Sequence, residues 1–400
     1  MSGHRPCNDV FMQEDSLIFS IFLIFTGAAL FAAIALLARQ SLLVAYILLG
    51  GVLGPAGFAL VKDPSLIQQI GHIGIIFLLF LLGLNLQPTQ LMRMLREAVV
   101  VTAASSFAFG AIGALIGQVS GFSLFESLII GSVMMFSSTI IGLKLLPTTA
   151  LHHRHVGQVM ISILLLQDIL AIIILLALEG FSRPGMQWQQ ILTFTIALPM
   201  LVLVAILFER YLILRLMQRF DTIQEYVFLT SIGWCLGMAQ LAQSLGLSYE
   251  IGAFIAGVTL ANSPIALFIA ESFKPLRDFF LIMFFFSLGA SFDIRILPDV
   301  FLPAAFLAAV MLALKPVIFA SLLSSSGESG GLAREVGVRL GQVSEFSLMI
   351  AILALDAGAI GPRASYLIQT STLITFIVSS YLIMMRYPTP IAVSARLRKD

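Results

Sequence analysis

Long apolar runs follow one another along almost the whole chain, separated by short stretches that contain charged residues, glycine or proline. Runs of this length are typical of helices that cross a lipid bilayer. The pattern therefore predicts an all-α polytopic membrane protein. Its apolar runs predict about thirteen spans, near Leu17–Leu37, Leu42–Leu60, Ile70–Leu84, Ala98–Ile116, Leu124–Leu146, Val156–Leu178, Ile191–Phe208, Tyr226–Ala242, Tyr249–Ala261, Phe279–Ala290, Val300–Leu323, Val336–Leu355 and Ala364–Met385.

Composition supports the same class. Hydrophobic residues make up 59% of the 400 residues and charged residues 11%. The charged fraction is roughly half that of an ordinary soluble domain. The net charge of +1 gives no reason to expect a nucleic-acid partner. We therefore expect the lipid bilayer as the main surrounding partner and a single transmembrane domain over residues 1–400.

The positions of lysine and arginine predict the orientation. With the N-terminus outside, the cytoplasmic segments hold fifteen of these residues and the outer segments hold five. An excess of positive charge marks the cytoplasmic side of a membrane protein. We therefore predict a multi-pass integral membrane protein whose N-terminus is outside and whose C-terminus is cytoplasmic.

The two halves of the chain carry similar motifs at a nearly constant offset. The motif that ends at Gly50 aligns with the one that ends at Gly257, an offset of 207, and the motif that ends at Gly83 aligns with that at Gly289, an offset of 206. Each span then matches the one seven places later, and an odd shift inverts the topology. Inverted repeats in transporters place an ion site at mid-membrane beside broken helices. The expected parts are repeat one at about 17–178, a linker helix at about 191–208 and repeat two at about 226–385.

Polar residues interrupt the fifth and twelfth spans at mid-depth. The offset of 207 aligns Ser137 with Ser344, and Ser138 with Glu345. Such clusters can replace backbone hydrogen bonds where a helix unwinds in the membrane. No proline marks either position, so the sequence permits a break in each span without requiring one.

Asp168 lies at the centre of the run Val156–Leu178, which contains no other charged residue. A carboxylate near mid-membrane costs several kcal/mol or more, so it is kept mainly where it binds an ion or carries a proton. One carboxylate can hold a proton or a cation, but not both, which is the physical basis of exchange. We therefore predict that Asp168 binds the cation and the proton. The alternative is a structural carboxylate held by a lysine or arginine.

Several neighbours could complete that site. Ser137, Ser138 and Thr139 offer hydroxyl and freed carbonyl oxygens to a monovalent cation, although small polar residues also serve ordinary helix packing. Gln167 points about 100° away from Asp168 on a helix. We therefore expect Gln167 to support a neighbouring backbone or the broken helix, with a plain helix–helix hydrogen bond as the alternative.

Three further ionisable residues, Lys315, Arg339 and Glu345, lie inside predicted spans. Lys315 could pair with Asp168 when no ion is bound, or neutralise the negative C-terminal ends of broken half-helices. Glu345 could offset the positive N-terminal ends of half-helices or pair with Arg339. We predict a charge-compensating role for all three at the crossing of the broken helices.

Short motifs in a fixed order resemble the cation:proton antiporter-2 family, and within it the Kef-type potassium:proton antiporters. The resemblance covers nearly the whole chain and rests on Phe136–Thr139, Leu166–Ile169, Gly252–Gly257, Pro275–Phe280 and Gly341–Phe346. It implies the sodium/proton-antiporter fold with two crossed discontinuous helices, a core domain that moves against a dimer domain, a homodimer, and a bacterial inner membrane location. It also implies that Asp168 is the ion-binding aspartate and Gln167 its partner.

The chain departs from the family pattern in two places. Kef-type chains often carry acidic residues after the third span, whereas this chain has Asn85 and Gln87 in that stretch. Many relatives also continue into a cytosolic regulatory domain, so a regulatory domain or subunit is a possible partner beyond this chain.

These observations together predict a secondary antiporter that exchanges a monovalent cation, with K⁺ preferred, for protons. Sodium/proton exchange or a channel-like cation conduit on the same fold are the near alternatives. An organic-anion symporter or an intramembrane enzyme are remote ones, and we expect no enzyme. The prediction includes no cofactor and no metal beyond the transported K⁺ (or Na⁺), which is exchanged for H⁺.

Overall fold

A computed structural model describes residues 8–38, 40–61, 65–85, 88–144, 155–181, 188–220 and 223–387. Helices joined by short turns make up this described part, and no strand occurs within it. We number the helices in chain order as α1 (Asn8–Leu37), α2 (Leu42–Leu53), α3 (Ser65–Asn85), α4 (Pro88–Val119), α5 (Leu124–Met134), α6 (Thr139–Lys144), α7 (His155–Phe181), α8 (Trp188–Phe208), α9 (Leu214–Arg219), α10 (Gln224–Ser244), α11 (Tyr249–Leu260), α12 (Ala266–Ser272), α13 (Lys274–Ala290), α14 (Leu297–Ser325), α15 (Gly330–Arg339), α16 (Glu345–Asp356) and α17 (Pro362–Arg386).

Each predicted span overlaps at least one of these helices. By length and composition alone, six helices of the described residues are long and apolar enough to cross a membrane. The predicted span Leu42–Leu60 was too long, because α2 ends at Leu53 and the following Gly54 is extended. The predicted linker Ile191–Phe208 was too short, because α8 continues through a π-helical turn at Glu209–Ile213 into α9. The helical, membrane-protein class predicted from the sequence is confirmed.

The fifth and twelfth predicted spans are each split into two helices. The first break, residues 135–138, separates α5 from α6, and the second break, residues 340–344, separates α15 from α16. Serine side chains begin both second halves: Ser138 Oγ accepts a hydrogen bond from the Ile141 amide, and Ser344 Oγ accepts one from the Phe346 amide. The two capping serines are 206 residues apart. In the alignment of the two halves, Glu345 therefore corresponds to Thr139 and not to Ser138.

Serine also caps other matched helices of the two halves. Ser41 and Ser248 cap α2 and α11, and Ser123 and Ser329 cap α5 and α15. A side-chain oxygen at this position accepts a hydrogen bond from an otherwise unsatisfied amide of the first turn. The recurrence of the same caps at offsets of 207 and 206 supports the proposed internal repeat.

The chain divides into two compact units. Unit one consists of Met1–Gly74 and Asp278–Ile294. Within it, the backbones of α2 and α13 touch, because a Cβ added to Gly50 would overlap the Phe286 carbonyl and one added to Gly289 would overlap the Ile47 carbonyl. Only glycine permits so close an approach. This contact fixes the two helices against each other.

Unit two consists of Ile75–Arg277 and Arg295–Asp400. It contains a second contact of the same kind, in which Gly257 of α11 lies against the Phe80 carbonyl and Gly83 of α3 lies against the Phe254 carbonyl. The remaining core of this unit is a bundle in which α14 packs on α4, α15 and α17, while α5 packs on α4, α16 and α17. Both breaks lie inside this bundle.

Candidate functional site

The two breaks meet in the buried core of unit two. The Ser137 hydroxyl in the first break donates to the Leu340 carbonyl in the second at 2.8 Å, and the Gln342 side-chain amide donates back to the Ser138 carbonyl at 3.4 Å. Broken helices leave backbone donors and acceptors without intrahelical partners. These reciprocal bonds satisfy some of those groups and hold the two helices at their crossing, as expected for two crossed discontinuous helices.

Lys315 on α14 reaches both breaks. Its fully buried ammonium group donates to the carbonyl oxygens of Phe136 at 2.7 Å, Gln342 at 3.1 Å and Met134 at 3.3 Å. It also lies 5.0 Å from the centre of the Phe109 ring. Free carbonyl oxygens at helix C-termini carry partial negative charge, which a cation stabilises. The geometry therefore places this charge at the C-terminal ends of α5 and α15.

Gln167 on α7 spans the first break. Its side-chain oxygen accepts a hydrogen bond from the Ser137 amide at 2.9 Å, and its side-chain nitrogen donates to the Met135 carbonyl at 3.0 Å. Both ends of the buried amide group are thus engaged with backbone. Gln167 therefore supplies hydrogen-bond partners to two backbone groups of the first break.

Asp168 follows Gln167 in the core of the same unit, and 5% of its surface is exposed. Among the described residues, its carboxylate takes part in no hydrogen bond or ion pair with protein groups, and in particular none with Lys315. The negative charge of Glu345 repels that of Asp168 when both groups are ionised. An unbalanced negative charge in this position favours the binding of a proton or a cation.

The three hydroxyls in and just after the first break have different surroundings. Ser137 is committed to Leu340, and Ser138 caps α6. The Thr139 hydroxyl is buried and has no hydrogen-bond partner among the described residues. Because a hydroxyl oxygen carries two lone pairs, Ser138 also keeps an acceptor site beside its cap. The structure thus leaves Thr139 and, in part, Ser138 available as oxygen ligands.

The remaining predicted charges lie at the second broken helix. Glu345 is the first residue of α16, where a negative charge faces the positive end of the helix dipole. Arg339 ends α15, is buried, and donates to Glu335 one turn earlier at 2.9 Å. Its guanidinium group lies 5.5 Å from the Tyr387 ring centre. Arg339 therefore has Glu335 as a charged partner on its own helix.

Four more residues make hydrogen bonds at the crossing. Ser347 and Gln342 belong to the polar cluster predicted in the twelfth span, whereas Thr375 and Ser379 were missed in the sequence. Ser347 donates to the Val133 carbonyl at 2.6 Å, and Gln342 bridges the breaks as described above. Thr375 and Ser379 on α17 contact the second break. The signal that could have identified the last two is a row of hydroxyl residues along an otherwise apolar span, although neighbouring residues of the same type make such a row ambiguous.

A cavity of about 220 Å³ opens near the end of α7 that follows Asp168 in sequence. Leu175 and Leu178 of that helix contribute to its wall, and so do the carboxylate residues Glu250 and Asp356. Leu175 lies seven residues beyond Asp168, which is about 10 Å along the axis and nearly on the same helix face. The cavity therefore lies along the helix face that carries Asp168.

Comparison with known proteins gives a consistent family. The family model described as "Sodium/hydrogen exchanger, transmembrane" matches residues 21–385. The glutathione-regulated potassium-efflux system protein KefC of Salmonella arizonae is 31% identical over 359 residues, which cover 85% of this chain and 56% of KefC. A putative K⁺ efflux antiporter KefB of Alkalimonas amylolytica is 30% identical over 85% of this chain and 52% of its own length. The chain thus spans about half the length of these potassium-efflux relatives.

Other relatives carry different names. The iron transporter MagA of Paramagnetospirillum magneticum is 26% identical over 344 residues, which cover 86% of this chain and 79% of MagA. The solved structure of the sodium proton antiporter MjNhaP1 from Methanocaldococcus jannaschii matches with a TM-score of 0.66 over 92% of this chain and 95% of that chain, at 17% identity. That likeness establishes the antiporter fold. The matched relatives are transporters rather than enzymes. The potassium-efflux relatives indicate the cation:proton antiporter-2 branch. The chain belongs to the sodium/hydrogen exchanger family of integral membrane cation:proton antiporters.

Proposed function

We propose that the protein exchanges potassium ions for protons by alternating access at Asp168. The observation that carries this proposal is the Asp168 carboxylate itself, which is buried in the core beside a broken helix and is engaged by no protein group among the described residues. A carboxylate kept for structure would be expected to have its hydrogen bonds satisfied. Asp168 instead suits a group that exchanges its partner during a transport cycle.

The proposed cation site combines Asp168 with hydroxyl oxygens of the first break. Oxygen ligands suit a hard monovalent cation. Thr139, whose hydroxyl is buried and unpartnered, and Ser138 are the proposed direct ligands beside the carboxylate. Gln167 and Ser137 hold the break in position, because their polar atoms are already engaged with backbone. Charge compensation is assigned to Lys315 at the carbonyl ends, and to Glu345 and Arg339 at the second broken helix.

One carboxylate that alternates between a proton and a cation gives one proton per cation. Exchange in this ratio moves no net charge, so we propose that transport is electroneutral. Lys315 enters the stoichiometry only if it releases a proton during the cycle. Its three hydrogen bonds to backbone carbonyl oxygens favour a permanently charged, structural ammonium group instead.

The cavity beside Leu175 is the proposed start of the route between Asp168 and the outer side. Its carboxylate residues, Glu250 and Asp356, would raise the local concentration of cations over that of anions. With the N-terminus outside, this end of α7 faces the exterior. Alternating access then requires a second conformation in which Asp168 is reached from the cytoplasm.

Potassium is the proposed cation because two relatives at 30% and 31% identity are named for potassium efflux. Sodium is the alternative, since the structural neighbour MjNhaP1 is named a sodium proton antiporter. Both ions accept the same oxygen ligands, so selectivity between them depends on ligand number and spacing.

The test is proton flux in proteoliposomes that contain a pH-sensitive dye, with K⁺, Na⁺ or Li⁺ added outside. The native chain should move protons on addition of K⁺, while Asp168→Asn should not. Asp299→Asn, which removes an exposed acid in the first turn of α14, is the matched control and should retain the native rate. Native-rate exchange by Asp168→Asn would refute the mechanism, and a stronger response to Na⁺ would favour the sodium alternative.

A membrane-potential clamp in the same vesicles tests the stoichiometry. Electroneutral exchange should proceed at one rate at every imposed voltage. A channel-like conduit would instead pass cations without proton counterflow, and its flux would follow the voltage.

The proposal also covers the setting of the protein. We propose a homodimer in a bacterial inner membrane, with the N-terminus outside, the C-terminus inside and a cytosolic regulatory domain or subunit as partner. The charge distribution along the sequence supports the orientation. Labelling of single cysteines placed in opposite loops would test the orientation, and crosslinking in native membranes would test the dimer.

A further inference from the structure

The helix α17 carries an unusual number of hydroxyl side chains inside the bundle of unit two. Thr372 and Thr375 are fully buried, and Ser379 and Ser380 are almost so. The helix packs on α14, which carries Lys315, and on both halves of the second broken helix. Burying a hydroxyl without a hydrogen-bond partner is unfavourable, so a buried row of them needs an explanation in what they contact.

Two of these hydroxyls bond directly to the second break. Thr375 Oγ1 accepts a hydrogen bond from the Val343 amide at 3.1 Å, and Ser379 Oγ donates to the Gln342 side-chain oxygen at 2.9 Å. Thr375 and Ser379 are four residues apart, so they lie on the same face of the helix. That face therefore provides hydrogen-bond partners for two consecutive residues of the second break, Gln342 and Val343.

The hydrogen bond from Ser379 fixes the orientation of the Gln342 amide group. The Ser138 carbonyl can only accept a hydrogen bond, so the nitrogen of the amide must face it, and the oxygen must then face Ser379. Gln342 also offers its backbone carbonyl to Lys315 at 3.1 Å. A single residue thus connects α17, α14 and the first break.

We propose, on the basis of the function proposed for the same site, that Ser379 is a positioning residue for the cation site and acts through Gln342. Ser138 is the last residue of the first break and adjoins Thr139, so the hydrogen-bonded series Ser379–Gln342–Ser138 sets where the hydroxyls of Ser138 and Thr139 lie relative to Asp168. Ser379 does not touch the cation. Its effect is on the affinity for the cation more than on the maximal rate.

Removal of the Ser379 hydroxyl leaves the buried Gln342 oxygen without a donor and allows the amide to turn. We expect Ser379→Ala to raise the KM for K⁺ about fivefold or more, as follows from the loss of one buried hydrogen bond. The maximal rate should change less than about twofold, because the titrating group itself is unaltered. Ser379→Cys keeps a weak donor and should give an intermediate KM.

Ser380→Ala is the matched control. It deletes the same atom from the adjacent residue, which is equally buried but whose hydroxyl has no hydrogen-bond partner among the described residues. Its KM should remain native. A loss of affinity caused by general loosening of α17 would affect both alanine variants alike, whereas positioning through Gln342 affects only Ser379→Ala.

A double-mutant cycle with Gln342→Met tests the route of the effect. If Ser379 acts through the amide, Ser379→Ala should change KM no further once the amide is gone. The proposal is overturned if Ser379→Ala has a native KM, if Ser380→Ala raises KM equally, or if the two changes at residues 379 and 342 are additive. Should Ser379→Ala not yield a monodisperse protein, Ser379→Cys is measured in its place. An unchanged KM for K⁺ in that variant also overturns the proposal.

Failure of this inference and failure of the proposed function give different results. The inference alone fails when Asp168→Asn abolishes exchange while Ser379→Ala behaves as native. The proposed function fails when Asp168→Asn still exchanges K⁺ for protons at the native rate, whatever the Ser379 variants show.

Discussion

Lys315→Met replaces the buried ammonium group with an apolar side chain of similar length. Three carbonyl oxygens, at 2.7, 3.1 and 3.3 Å from the ammonium nitrogen, then lose their donor inside the bundle. Each buried acceptor left unsatisfied costs about 1–3 kcal/mol. Relief of the ammonium group's own burial offsets part of this loss. We therefore expect a net decrease of about 3 kcal/mol in the free energy of unfolding.

The assay is thermal unfolding of the purified protein in detergent, followed by intrinsic fluorescence at one fixed scan rate, because unfolding of such proteins is commonly irreversible. A loss of this size should lower the apparent Tm by about 4 °C. Leu314→Met, at a partly exposed neighbour on the same helix, is the control and should leave Tm unchanged. Exchange in proteoliposomes, measured well below the lowered Tm, should remain electroneutral.

The opposite pattern would refute the reasoning. If Lys315→Met kept the native Tm and yet lost exchange or became sensitive to voltage, Lys315 would take part in the transport step. The carbonyl contacts would then be incidental, and the proposed ratio of one proton per cation would have to be revised.

Three further substitutions test separate parts of the structure. Gln167→Leu leaves an amide and a carbonyl of the first break without partners, so it should destabilise the protein by about 2 kcal/mol or more and raise the KM for K⁺. An unchanged Tm would contradict the role of Gln167 in holding the first break. Gly289→Ala places a Cβ into the Ile47 carbonyl and should sharply reduce the yield of folded protein, whereas Gly233→Ala, with open space around it, should be neutral or slightly stabilising by about 0.5 kcal/mol. Glu126→Ala removes the capping box of α5 and the hydrogen bond to the Gly361 amide, so it should lower stability by about 1–2 kcal/mol without changing the KM, which thermal unfolding and flux assays would check together.

The fold class could be predicted, and the two positions where a break is permitted could be located, because their signals are local. Apolar runs mark the helices, and the polar clusters at Ser137 and Ser344 mark where two of them unwind. The exact register could not be predicted. The offset changes from 207 to 206 along the chain, and only the observed caps at Ser138 and Ser344 show which value applies at the crossing.

The hydrogen-bond partners of the buried polar groups were harder to predict from the sequence. Lys315 had two possible partners, Asp168 or the carbonyl ends of half-helices, and only the packing of α14 against the breaks distinguishes them. Ser379 gave no distinct signal, because its role depends on a residue 37 positions earlier that approaches it through tertiary packing. Contacts between distant segments are set by how helices pack, and a single sequence does not specify that directly.

The glycine contacts described above also limit how the molecule can move. Where one backbone touches another, the spacing is set by the radius of the helices and not by side chains that could change rotamer. The contact of α2 with α13 at Gly50 and Gly289 in unit one, and that of α3 with α11 at Gly83 and Gly257 in unit two, therefore cannot open or repack in small steps. Each pair should travel as one rigid body in every state of the transport cycle, so the sliding surfaces of this transporter must lie elsewhere.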